Sequence, residues 1–124
     1  MSTFWKGSAL VVSIAAVSLV AAVSALGGAG AADATTVTVT AGKPSELRFT
    51  LSKKTVAKGA TTFKVTNRGS LSHDFKLAGK KTALLKKGKS GTFTVTFKKA
   101  GKFPYLCTVP GHAAGGMKGT LTVK

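Results

Sequence analysis

The chain is poorest in acidic groups: only three Asp and Glu stand among its 124 residues, against 19 Lys and Arg, for a net charge of +16. It also has little sulfur and few aromatic polar groups, with one Cys, two Met, one Trp and one Tyr. The single cysteine, Cys107, excludes an internal disulfide. A chain this short has room for one small domain and not for two, and core burial alone leaves such a domain marginal. Neither an internal repeat nor helical periodicity of useful length is present.

What is there begins with an apolar N-terminus. Lys6 is the only charge in the first 32 residues, and an unbroken apolar stretch runs from Ala9 to Leu26. A small-residue tail from Gly27 to Ala32 offers Ala29-Gly30-Ala31 as an A-x-A cleavage site. Residues 1–32 are therefore expected to be a signal peptide or, given the length of the stretch, a retained membrane anchor. No cysteine lies nearby to carry a lipid. Residues 33–124 are expected to form the working domain, exported to the periplasm or the outer face of the cytoplasmic membrane. A lone cysteine in an exported chain calls for an intermolecular bridge, an inert buried thiol or a metal ligand.

All the basic residues except Lys6 lie beyond this segment, opposed only by Asp33, Glu46 and Asp74. Such an excess suits nucleic acid in a cytosolic chain. Here no nucleic-acid motif is found, the lysines are spread as Lys-Thr and Lys-Lys pairs, and the export signal points elsewhere. The expected partners are acidic redox proteins and anionic membrane or wall surfaces, with no nucleic acid. High like charge opposes self-association and predicts a monomer.

Period-two alternation dominates the rest and predicts an all-β sandwich of about seven to eight short strands. Thr35–Thr40 alternates Thr with Val37 and Val39. Glu46–Leu51 places Leu47, Phe49 and Leu51 on one face, Thr61–Thr66 does so with Phe63 and Val65, and Thr92–Phe97 with Phe93, Val95 and Phe97. Turns rich in Gly and Lys separate the runs, and the stretch Gly79–Gly91 has room for one helical turn around Thr82-Ala83-Leu84-Leu85. In Leu71–Leu77 the inward face is Leu71, His73, Phe75 and Leu77. Cys107 shares a face with Phe103 and Tyr105, and Met117 with Leu121 and Val123. The loop Thr108–Gly116, which carries His112, joins these last two strands.

Singly, each residue has an ordinary reading: Cys107 as a small hydrophobe, Met117 as core filler, His73 as a hydrogen-bonded core histidine. Beyond residue 32, however, the chain holds only these two histidines, one cysteine and one methionine, and all four converge at one end of a sandwich. Two imidazoles and a thiolate with a weak axial thioether select one copper ion, cycling between Cu(II) and Cu(I). Structural zinc rarely uses methionine, and a binuclear copper–thiolate centre needs a second cysteine.

With Tyr105-Leu106-Cys107, the spacing Cys-x4-His-x4-Met and the upstream Ser72-His73-Asp74-Phe75, the domain resembles the cupredoxins. Its ligand spacing is nearest the rusticyanin and sulfocyanin type. The resemblance covers Thr35–Lys124 and implies a Greek-key sandwich with copper beneath one apolar end, exchanging single electrons between redox partners. Many members carry Asn after the first histidine, where this chain has Asp74, which is placed to accept a hydrogen bond from Thr108. A buried carboxylate there favours the oxidised metal and predicts a moderate rather than very high potential, while N–H donors from Asp74 and Val109 to the Cys107 sulfur act in the opposite direction. The residues around His112, uncharged until Lys118, predict a small neutral docking patch. The expected function is electron transfer without enzymatic turnover. The alternative is an extracytoplasmic copper carrier, and behind it stands a metal-free surface-binding sandwich.

Overall fold

The computed structural model describes residues 34–124; the expected signal or anchor segment and Asp33 lie outside them. Nine strands are found among the described residues. They are β1 (Thr35–Ala41), β2 (Phe49–Leu51), β3 (Thr55–Val56), β4 (Gly59–Asn67), β5 (Lys76–Leu77), β6 (Lys80–Lys81), β7 (Ser90–Phe97), β8 (Gly101–Leu106) and β9 (Lys118–Val123). One sheet has the order β2-β1-β4-β7 and the other β3-β9-β8-β5-β6. Both are mixed, since β1 runs parallel to β4 and β3 parallel to β9.

The Val and Phe residues of the alternating runs face inward as expected. Val37 and Val39 of β1, Phe63 and Val65 of β4, and Leu121 of β9 are fully buried, and the threonines between them face outward or sit half-covered. Burial of this apolar face is what holds the two sheets together. Phe75 is the hub of the core: its ring lies 5.1 Å from Phe49, 5.3 Å from Tyr105 and 5.8 Å from Phe63, ring centre to ring centre. A smaller cluster of Ala41, Cys107 and Met117 caps one end, and Phe49 packs against both clusters. The strands thus deliver the chemistry-bearing residues to one pole of the sandwich.

Three expectations are corrected. Leu71–Phe75 is not a strand, and Leu71 is 49% exposed. Its backbone is held instead by side chains: Glu46 accepts the N–H groups of Ser70 and Leu71, and Asn67 Nδ2 donates to Leu71 O at 2.7 Å. No helical turn forms at Thr82–Leu85. There Thr82 N donates to Phe75 O, and Leu85 exchanges both backbone hydrogen bonds with His73, so these groups are spent across the chain. The run expected from Glu46 becomes strand only at Phe49, because Gly42 N donates to Arg48 O and closes a turn before it.

The core contains one misfit. Thr61 is fully buried on the inward face of β4, and its hydroxyl is the one buried side-chain polar atom without a partner among the described residues. Thr61→Val replaces that hydroxyl with a methyl of similar shape and is expected to raise the unfolding free energy by about 1 kcal/mol. Urea denaturation of the copper-free protein checks this; an unchanged or lowered midpoint would show that the hydroxyl is satisfied in solution.

Candidate metal centre

Cys107 follows the last residue of β8, and Met117 precedes the first residue of β9. The antiparallel ladder between these strands continues past their ends, with Cys107 N donating to Met117 O at 3.1 Å. The connecting loop closes on itself through His112 N to Val109 O, Gly115 N to Gly111 O and Met117 N to His112 O, each 3.0 Å. Gly116 has φ +110, and a Cβ there would fall onto the Arg48 guanidinium, so glycine is required. The loop is therefore a folded unit that holds His112 between the thiol and the thioether.

His73 arrives from the opposite side. Its backbone pairs with Leu85, and Asn67, fully buried, donates to Leu85 O at 2.7 Å while accepting the Gly69 N–H. The fold thus brings together three of the four expected residues, His73, Cys107 and His112. The donor atoms of His73, Cys107 and His112 all lie within 4.8 Å of one another. His73 Nδ1 is 3.2 Å from His112 Nδ1, which is 3.6 Å from the Cys107 sulfur. Met117 is fully buried in the apolar cluster with Cys107. Only His112 is partly exposed.

The surrounding polar groups fit this cluster to a metal. Glu46 Oε1 lies 2.7 Å from His73 Nε2, so that nitrogen is the donor and Nδ1 keeps its lone pair toward His112 and Cys107. Asp74, nearly buried, accepts from both the backbone N–H of Thr108, at 2.6 Å, and its hydroxyl. That bond ties the His73 segment to the loop after Cys107, as the sequence led one to expect. Burial holds the Cys107 thiol above its ordinary pKa, and the neighbouring Asp74 carboxylate adds to this, while the N–H groups of Asp74 and Val109 act on the sulfur in the other direction. A soft thiol and two imidazole lone pairs converging in a mostly buried site over a thioether are the donors that suit copper in both oxidation states.

Sequence reading missed Glu46, which it placed on a strand face, and the loop-holding role of Asn67. The signal for Glu46 was its rarity: in a chain with three acidic residues, each needs a reason. The expected neutral patch around His112 is also corrected, because Arg48 lies over the loop, its Nη1 3.4 Å from Gly115 O.

The comparisons agree with this geometry. The family model for the cupredoxin-like domain matches residues 10–123. The chain belongs to the cupredoxin family. In sequence it is 52% identical over 42 residues to auracyanin-B of Chloroflexus aurantiacus, a stretch covering 34% of this chain and 18% of that protein. It is 44% identical over 43 residues to the copper-resistant cuproprotein CopI of Pseudomonas aeruginosa, covering 35% of this chain and 24% of that one. The matched stretches thus span less than a quarter of these curated relatives. The structure of auracyanin B superposes with a TM-score of 0.65 and 26% identity, covering 73% of this chain and 89% of that one. Rusticyanin from Thiobacillus ferrooxidans gives a TM-score of 0.61 at 22% identity, covering 76% and 79%, a likeness of fold. The cofactor of this fold and donor set is a single copper ion.

The Glu46 carboxyl is lowered from its ordinary value of 4.5 to about 2, chiefly by the Ser70 N–H, then the Leu71 N–H, with His73 adding to them against the effect of burial. A lowered folded-state pKa contributes stability that is fully present above 4.5 and is lost as pH falls toward about 2. The stability of the copper-free protein is thus expected to fall with pH across this window, and Glu46→Gln is expected to flatten that slope. Equal slopes for the two proteins by urea titration would show that Glu46 is not held this way in solution.

Proposed function

We propose that the protein is an exported carrier of single electrons, in which His73, Cys107 and His112 would hold a copper ion with Met117 as a further, soft donor. Residues 1–32 are read as the export signal or anchor and residues 33–124 as the carrier domain. The observation that carries the reading is the convergence of two imidazole nitrogens and a buried thiol within 4.8 Å, with one imidazole partly open to solvent. A bound copper ion supplies the Cu(II)/Cu(I) couple. Cys107 gives the covalent route from the site into β8. The bonds from Asp74 to Thr108, from Glu46 to His73 and from Cys107 N to Met117 O hold the donors in place, so little must move when charge changes. His112 is the exit to partners. Arg48 beside it, with exposed Lys118, favours an acidic docking face, and a small, brief contact suits such encounters. That auracyanin-like blue-copper folds superpose on this chain supports the carrier reading over an enzymatic one.

Likeness to a copper-resistance cuproprotein favours a second reading, extracytoplasmic copper handling. Mixing the reduced copper protein with a small anionic one-electron oxidant in a stopped flow, beside a copper chelator, separates the two. Electron transfer is expected to finish with copper retained, to slow several-fold as ionic strength rises from about 0.01 to about 0.15 M, and to slow in Arg48→Gln. Loss of copper to the chelator on the same timescale would favour copper handling. A further expectation concerns Met117: Met117→Leu removes a soft donor and is expected to raise the reduction potential, measured by voltammetry, with the thiolate absorption retained. An unchanged potential would remove Met117 from the site.

A further inference from the structure

We propose that the pole opposite the metal centre is a docking face for an anionic lipid surface, which turns the metal centre away from the bilayer. Strand β1 spans the sandwich from pole to pole, roughly 20 Å for its length. Its last residue, Ala41, packs against Cys107 and Met117, so its first, Thr35, marks the far pole.

Strand register gathers the lysines there. Thr35 pairs with Thr61 just after the start of β4, and Gly59 pairs with Phe97 at the end of β7, which brings Lys58 beside Lys98 and Lys99. On the other sheet Lys102 pairs with Thr122, Thr122 N donates to Lys54 O, and Lys58 N donates to Lys124 O. Lys54, Lys58, Lys98, Lys99, Lys102 and Lys124 are all exposed. Among the described residues no carboxylate side chain answers their charge at this pole. Both side-chain carboxylates of the described residues, Glu46 and Asp74, are committed to the metal end, and the one ion pair among those residues is His73 with Glu46. Lys98 and Lys99 also border a shallow depression that Phe97 and Phe103 help to line, so apolar surface lies beside the charged heads.

Two features select a lipid surface over a protein partner. The charge is spread over both sheets around a whole pole, as a broad planar anionic surface takes it, and each such lysine strengthens attraction to anionic headgroups. Second, the apolar run Ala9–Leu26 is covalently joined to the domain at the pole where β1 begins. Membrane attachment through that run would tether the domain from the pole where β1 begins. The proposal deepens the extracytoplasmic reading above but requires no copper chemistry.

The test uses the full chain, copper-loaded, with vesicles of phosphatidylcholine alone or mixed with phosphatidylglycerol. Partitioning through the apolar run is common to both; the proposal concerns the increment that phosphatidylglycerol adds. That increment is expected to fall at least about tenfold in Lys54→Gln/Lys58→Gln/Lys98→Gln/Lys99→Gln, taking the attraction per lysine near an anionic surface as the guide. It is expected to survive in Arg68→Gln/Lys86→Gln/Lys87→Gln/Lys89→Gln, which removes the same charge from the other end. Equal loss in both variants would reduce the effect to net charge and overturn the proposal, as would no loss in the first, or no increment in the unaltered protein. Retention of soluble polyphosphate without a phosphatidylglycerol increment would overturn it in favour of a polyanion. Far-ultraviolet circular dichroism of each variant reports folding and visible absorption reports copper, so failure of the copper reading leaves the vesicle result interpretable.

Discussion

The antiparallel pairing of β8 with β9 is the constraint on which the rest of the molecule depends. It sets Cys107 and Met117 side by side through a backbone bond before any metal is considered, and the loop between them then has one folded path, which passes through His112. A one-residue slip of β9 against β8 would turn Met117 and Leu121 away from the face on which β8 presents Tyr105 and Cys107. Core burial and site assembly are thus the same event. The hydrophobic pattern that joins the sheets also aims the thiol and the thioether, and Phe49 links the two by packing against both clusters.

His73 comes from a segment with no strand ladder to fix it, and polar side chains do that work. Asn67, Glu46 and Asp74 each hold two or three backbone or side-chain groups at the metal end of the molecule. This explains where a chain so short of acid places its carboxylates. Both that the structure describes hold segments around the metal centre, so among the described residues the lysines of the opposite pole have no carboxylate side chain beside them. The asymmetry of charge along the long axis is therefore a consequence of how the site is built.

Much of this was legible in sequence, and the exceptions have a common cause. Alternation of β-branched and aromatic residues reports a half-buried strand, and it placed β1, β4, β7, β8 and β9 with their inward faces. It failed at Leu71–Phe75, where side chains rather than a neighbouring strand hold Leu71 and leave it facing solvent, and ahead of Phe49, where Gly42 N and Arg48 O close a turn. It failed again at Thr82–Leu85, where local composition allowed a helical turn but pairing across to His73 and Phe75 took those groups first. Cys107 and Met117 stood out because scarce residue types fell just beyond strand ends, and His73 and His112 because the chain has no other histidine. Glu46 and Arg48 did not, since a turn of chain far from Cys107 in sequence brings them over the site.

Electron transfer by this protein requires that Cys107 bind copper as a thiolate within this donor set. The most direct measurement is the visible absorption spectrum of the purified chain titrated with Cu(II), beside Cys107→Ser. An intense thiolate-to-copper charge-transfer band that saturates at one copper per chain and is absent from the variant is the predicted result. A pale spectrum of ordinary Cu(II), the same in both proteins, would contradict it.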